Sequence, residues 1–273
     1  MVCRPKNTEP APRQRGVETE GAVWQKIRDE ASALAAREPA LRTLLSPLID
    51  VPSGAVMLVR VLAARLAVSA AEREVIAALL SETLDGDMLA ATEADLAAVV
   101  ERDPACPGAA HVLSNLKGFQ ALQTYRFAHR LWQSGRTEAA RWLASQAALV
   151  FGLDIHPGAR IGRGVMLDHG SGIVIGETTV IEDDVSILQN VTLGGTGKQT
   201  GDRHPKIRRG VMIGAGAKIL GNIEIGAFSK VAAGSVVLRP VPAHTTVAGV
   251  PATVVRIHAA SERPAAEMNQ NIL

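Results

Sequence analysis

The sequence predicts an α+β chain in two parts: an N-terminal α-helical domain, then a left-handed parallel β-helix of hexapeptide repeats. Three observations carry this. Apolar residues recur at helical spacing from about Glu20 to Val150. After Phe151 the spacing becomes six, which neither the helical period of about 3.6 nor the strand period of about 2 explains. Of the residues, 47% are hydrophobic but only 3% aromatic, and 25 are glycine, a composition suited to a repetitive aliphatic core.

Taken in order, residues 1–19 (MVCRPKNTEPAPRQRGVET) mix prolines with both charge signs and hold no apolar stretch. They read as a disordered arm, not a secretory leader. Residues 20–150 are rich in strong helix formers, as in AVWQKIRDEASALAAREPALRTLL and TEADLAAVV. Breaks at Glu38-Pro39, Val51-Pro52-Ser53-Gly54, Asp85-Gly86-Asp87, Asp103-Pro104 and Pro107-Gly108 leave room for six or seven helices. The stretch LKGFQALQTYRFAHRLWQSG holds Phe119, Tyr125, Phe127 and Trp132, half of the chain's aromatics, and predicts the principal packing helix.

Residues 151–256 carry the repeat. Aliphatics stand at Ile155, Ile161 and Leu167, resume after a two-residue offset at Ile175, Ile181, Ile187 and Leu193, and return from Ile207 to Val237. Small or β-branched residues lie four further on, as at Val165, Val185, Val191, Val211, Ala217 and Ile223. Three hexads make one triangular coil of about 18 residues, and no coil buries its aliphatic face alone, so the coils must stack. Residues 257–273 end the chain as a flexible tail.

Two breaks in the register are where chemistry becomes possible. LGGTGKQTGDRHPK interrupts the repeat between Leu193 and Ile207 and must leave the prism as an excursion loop over 194–206. It gathers Lys198, Arg203 and His204, donors suited to an anion, with Arg203 able to hold a carboxylate through two bonds. At the other break, in MLDHGSGIVIG, the offset frees Asp168 and His169 from the core. Stacking brings His169, His204 and Asp154 within a few coils of one another or against a neighbouring subunit, and imidazole with carboxylate is the usual apparatus of proton abstraction. Spacing alone leaves catalytic and structural roles open.

Charge and composition exclude several classes. Lys and Arg number 29 against 27 acidic residues, a net charge of +2, which gives no footprint for nucleic acid or an anionic membrane. No apolar run is long enough to span a bilayer. Cys3 and Cys106 stand in neither disulfide nor metal spacing, which points to a reducing cytoplasm. The glycines lack the strand-to-helix context of a nucleotide fold.

The runs DIHPGARIGRGVMLDHGSGIVIGET and DVSILQNVTLGGTGKQTGDRHPKIRRGVMIGAGAKILGNIEIG, followed by AGSVV and AGVPA, resemble bacterial serine O-acetyltransferases of the hexapeptide-repeat acyltransferase superfamily. ERDPA and LKGFQALQTYR in the helical half extend the resemblance over most of the chain. It implies acetyl transfer from acetyl-CoA to the hydroxyl of L-serine, giving O-acetyl-L-serine for cysteine biosynthesis, without a metal. It also implies a homotrimer or a hexamer of two trimers, with part of each site from an adjacent subunit, and feedback inhibition by L-cysteine.

By motif, His169 in LDHG is implied as general base and Asp154 in DIHP as its partner. Asp103, Asp168, Arg203 and His204 are implied to line the serine pocket, and Gly195, Thr196, Ala215, Lys230 and Ala233 to hold CoA. Asp103, Asp154 and Lys230 also have plain readings, as a helix end, a coil cap and a solvated turn. The family's tail ends in isoleucine and enters the active site of O-acetylserine sulfhydrylase. Here Ile272 is followed by Leu273, so a weakened complex is expected, with Asn269 and Asn271 among its polar contacts. Three alternatives stand beside this reading: an acyltransferase for homoserine or a sugar, a zinc enzyme using His156, His169 and His204, and a non-catalytic trimerisation scaffold.

Overall fold

The computed structural model describes residues 21–197 and 200–271. The arm expected over 1–19, Lys198, and the terminal Ile272 and Leu273 lie outside the described residues.

The helical half runs α1 (Ala22–Arg37), α2 (Arg42–Ile49), α3 (Gly54–Leu66), α4 (Ala70–Thr83), α5 (Gly86–Arg102), α6 (Ala109–Asn115), α7 (Lys117–Gln133) and α8 (Thr137–Phe151). The described residues thus form eight helices before the strands, not six or seven, because two breaks carry neither glycine nor proline. Between α3 and α4 the signal is Ser69, whose hydroxyl accepts the Glu72 N–H at 3.2 Å. Between α6 and α7 a single residue, Leu116, makes the bend. Ser53 and Asp85 cap α3 and α5 in the same way as Ser69. Helix α7 buries Phe119, Tyr125 and Phe127, as its aromatic content predicts.

After α8 ends on left-handed Gly152, the chain winds into a three-faced prism. The first face is β1 (Asp154–Ile155), β4 (Val174–Ile175), β7 (Thr192–Gly194), β10 (Lys218–Leu220) and β13 (Val236–Val237). The second is β2 (Arg160–Ile161), β5 (Val180–Ile181), β8 (Lys206–Ile207) and β11 (Glu224–Ile225). The third is β3 (Met166–Leu167), β6 (Ser186–Ile187), β9 (Met212–Ile213), β12 (Lys230–Val231) and β14 (Thr245–Gly249), closed by antiparallel β15 (Ala252–Ile257). The six-residue register appears as three ladders of parallel pairs. On the first face Ile155, Ile175, Leu193, Ile219 and Val237 lie directly over one another. The excursion between β7 and β8 does not disturb the ladders, so it leaves and re-enters the prism in phase. Val165, Val185, Val191, Val211 and Ala217 fill the inner corners at 0% exposure.

The tail departs from expectation. Residues 258–271 follow the outer side of the third face, with helix α9 (Pro264–Glu267) burying Pro264 and Ala265. Ala265 packs with Leu188 and Met212, and the Ser186 hydroxyl donates to the Ala265 carbonyl at 2.9 Å. A polar, proline-bearing segment signals disorder by composition. Its small residues instead fit an apolar patch that only the folded prism creates.

One buried polar centre joins the two halves. Asp95 on α5 is fully buried and accepts from Arg126 Nε and Nη2 at 2.9 and 2.6 Å and from Gln123 at 2.9 Å, both on α7. Its other oxygen accepts the Val165 N–H at 3.0 Å, and Arg126 reaches on to the Gly162 carbonyl at 2.7 Å. Burial pushes the Asp95 carboxyl up, while the Arg126 charge beside it pulls the other way. Asp95→Ala leaves that guanidinium buried without a counter-charge and is expected to cost about 3–5 kcal/mol. Urea unfolding midpoints check this; a loss below about 1 kcal/mol would show the ion pair to be dispensable.

Candidate active site

The turn joining β3 to β4, residues 168–173, is two residues longer than its counterpart 188–191 one coil on. The Asn190 N–H donates to Ser171 O at 2.8 Å, and left-handed Asn190 stacks on left-handed Gly172. The extra residues are therefore His169 and Gly170. His169 takes φ 54°, a region most side chains avoid, and stands exposed at the prism edge while Leu167 and Gly170 are buried beside it.

The N-terminus of α7 presses on this turn. A Cβ at Gly118 would collide with the Leu167 carbonyl oxygen, so only glycine admits the helix so close. Lys117 Nζ donates to Ser171 Oγ across the same contact. Between α5, α7 and the turn lies a cavity of about 220 Å³ whose polar lining includes Asp103, Asn115, Lys117, Asp168 and His169. Asp103 is the C-cap of α5, and its Oδ1 accepts the Ala105 N–H at 2.8 Å. The helix-ending reading of this residue holds, and the same residue lines the cavity. Burial pushes the Asp168 carboxyl up, and the nearby Asp103 charge adds to that, while His169 opposes it.

One chain thus brings Asp103, Asp168 and His169 together. It leaves the other candidates elsewhere. Asp154 is exposed on β1, where its N–H bonds the Ile173 carbonyl; among the described residues no hydrogen bond joins it to His169. Arg203 and His204 lie on a different edge of the prism, between the first and second faces. Their segment lies back on the turn 176–179. Arg203 donates to Glu177 Oε2 at 2.9 Å, and the Thr178 hydroxyl accepts the N–H groups of Arg203 and His204. His204 Nδ1 accepts from Thr178 Oγ1 at 2.8 Å, and its ring fits against Gly176, where a Cβ would strike it. Burial first, then the Arg203 charge, keeps the His204 imidazole below its usual range, hence neutral near pH 7.

The residues expected to hold CoA divide in the same way. Gly195 and Thr196 stand in the excursion loop, while Ala215 and Ala233 occupy turns on the His169 edge, two and three coils further on. Lys230 is no solvated turn residue: it lies on β12, 4% exposed, with Nζ donating to the Asn269 and Asn271 carbonyls at 2.8 and 2.5 Å. Burial, then Arg256, holds its ammonium below the ordinary lysine range. Of the histidines in the zinc alternative, His156 and His204 share an edge that His169 does not. Among the described residues no cluster of three or more His, Cys, Asp or Glu side chains is arranged to hold a metal.

Asn115, Lys117, Glu177 and Thr178 were not legible as site residues. The one available signal was Gly118, an isolated glycine inside a helical pattern, which marks a close backbone approach.

Comparison with known proteins gives one consistent result. The profile "Serine acetyltransferase, N-terminal" matches residues 23–124, and "Bacterial transferase hexapeptide (six repeats)" matches 204–239. The chain is 53% identical over 254 residues to the serine acetyltransferase of Salmonella typhimurium, covering 91% of this chain and 92% of that protein. A solved serine acetyltransferase in complex with cysteine superposes with TM-score 0.89 at 48% identity, covering 92% of this chain and 98% of the other. The enzyme from Brucella abortus in complex with coenzyme A gives TM-score 0.86 at 44% identity, over 89% and 99%. With likeness of this extent across both halves and through the turn that carries His169, the chain belongs to the serine acetyltransferase family.

Proposed function

We propose that the chain transfers the acetyl group of acetyl-CoA to the hydroxyl of L-serine, releasing O-acetyl-L-serine and CoA in the cytoplasm. The observation that carries this is the cavity where two carboxylates, Asp103 and Asp168, face a histidine lifted from the core by a two-residue insertion. A serine hydroxyl is a weak nucleophile near neutral pH, so a base must take its proton as the oxygen attacks the thioester carbonyl. His169 does this. The tetrahedral intermediate collapses by expelling the CoA thiolate, which takes the proton from the imidazolium, so His169 ends the cycle neutral. Asp103 and Asp168 hold the serine ammonium. Asp154 supports the imidazole only if the turn closes toward β1 when substrate is bound.

The carboxylate of serine needs a cation and a hydrogen-bond donor. Arg203 supplies the charge and neutral His204 a ring N–H from another edge of the prism, so a neighbouring chain in a trimer, or in a hexamer of two trimers, completes each site. Gly195 and Thr196 on that edge then meet Ala215 and Ala233 along a groove for CoA. L-Cysteine carries the same ammonium and carboxylate and competes with serine. A tail complex with O-acetylserine sulfhydrylase requires Asn269 and Asn271 to leave Lys230, since their carbonyls bind it here. The test of the whole reading is thiol release from acetyl-CoA with a panel of acceptors: L-serine is expected to be preferred, and a preference for homoserine or a sugar would overturn it.

His169→Asn is expected to lower kcat by about 10²-fold or more with the oligomer intact, since general-base catalysis contributes about 10²–10⁴. Steady-state kinetics and size-exclusion chromatography together check it. Asp168 binds serine as the ionised form, and burial raises its carboxyl. Serine affinity is therefore expected to be full at neutral pH and to fall on acidification before the ordinary aspartate value of about 3.9 is reached. Titrating serine across pH into the wild type and Asp168→Asn, which should be weak and flat, checks this. Because the tail occupies Lys230 and packs on Ala215, a chain ending at Arg263 is expected to bind acetyl-CoA more tightly. An unchanged KM for acetyl-CoA would place the CoA groove elsewhere.

A further inference from the structure

Helix α5 grips one peptide unit of the prism from both sides. Asp95 Oδ1 accepts the N–H of Val165 at 3.0 Å, and Arg102 Nη1 donates to the carbonyl of Gly164 at 2.9 Å. These two backbone groups belong to the same planar Gly164–Val165 peptide, so its direction is held at both ends. Asp95 and Arg102 stand seven apart, about two helical turns, and so share one face of α5. The clamped peptide leads straight into β3 at Met166 and, after Leu167, to Asp168 and His169. On the helix side, Asp103 is the residue after Arg102. The clamp therefore adjoins the cavity, joining the helix that carries Asp103 to the strand that leads to Asp168 and His169.

Arg102 is not explained by packing. Its side chain is 6% exposed, its Nε has no hydrogen-bond partner among the described residues, and Asp184 at 3.6 Å is a half-exposed counter-charge. Burial holds its guanidinium below the ordinary arginine range. An apolar side chain of similar volume would fill the site without that desolvation cost. What an apolar residue lacks is a donor for the Gly164 carbonyl and for Ser186 Oγ, which Arg102 Nη1 also reaches at 3.2 Å.

We propose that Arg102 is a positioning residue for the acceptor pocket: with Asp95 it fixes the Gly164–Val165 peptide and so sets the spacing of Asp103 against Asp168 and His169. This rests on the serine-pocket reading above. Arg102 touches no substrate and acts through Asp103 and β3. Displacement by a few tenths of an ångström across a pocket that grips an ammonium weakens acceptor binding more than binding along the CoA groove, whose candidate residues Ala215 and Ala233 lie two and three coils further on.

Arg102→Met and Arg102→Lys in the full chain test this. Arg102→Met is expected to raise the serine KM about tenfold with the acetyl-CoA KM within about twofold of wild type, and Arg102→Lys, which keeps a donor, to recover most of the loss. A merely structural role would lower kcat through fewer active molecules and leave both KM values unchanged. A serine KM within about twofold of wild type in Arg102→Met overturns the proposal. Should that variant not fold, Arg102→Lys and Ser186→Ala carry the test: each is expected to raise the serine KM about two- to fivefold, and wild-type values in both overturn it. Calorimetric titration with L-serine separates the two readings. A wild-type chain that binds no serine overturns the acceptor pocket, whereas variants that bind serine as wild type does overturn only the positioning role.

Discussion

The geometry of the site depends on one buried carboxylate. Asp95 binds α5, α7 and the first coil of the prism at a single point, through Arg126, Gln123 and the Val165 N–H. A buried carboxylate is tolerated only when its lone pairs are satisfied, and this one accepts four hydrogen bonds. Each of those bonds has a fixed direction, so the helical half cannot slide over the prism as an apolar contact would allow. The cavity beside His169 exists because that junction is rigid. Its walls come from α5, α7 and the β3–β4 turn, which are the elements that Asp95 and its neighbours hold together.

The electrostatics of the cavity are one-sided. Asp103 and Asp168 line it, and its one cationic side chain, Lys117, is turned to Ser171. Such a pocket suits the ammonium end of an amino acid and repels its carboxylate. Arg203 and neutral His204, the groups proposed to complement it, are fixed on another edge by Glu177 and Thr178. A prism has three edges and a rigid core, so no motion within one chain carries one edge to the next. On the serine-pocket assignment proposed above, this division of charge between edges is what calls for a neighbouring chain.

The outer side of the third face is occupied by the chain's own tail. Lys230 is nearly buried, and an ammonium taken out of water needs oxygen partners, which the Asn269 and Asn271 carbonyls provide. Ala265 covers Leu188 and Met212, apolar residues that the hexapeptide pattern places on the outside of the prism. On the CoA groove proposed above, the tail and acetyl-CoA compete for the same surface.

The sequence by itself determined the prism and its register. The six-residue recurrence of Ile155 to Val237 survives as ladders of stacked pairs because parallel coils admit only one phase of inward side chains. It also marked His169, since a two-residue offset in a strict repeat must be expelled from the core, and it marked the Arg203-His204 loop for the same reason. It missed the break at Leu116, the order of the tail, and the roles of Gly118, Lys117 and Arg102. Those were decided by tertiary structure, because each depends on an approach between segments distant in the chain: α7 against Leu167, α9 against Ser186, α5 against the Gly164–Val165 peptide. Periodicity reports which way a side chain faces along its own segment. It carries no information on which foreign backbone group that side chain will meet, and in this protein those meetings place the acid and imidazole groups around one cavity.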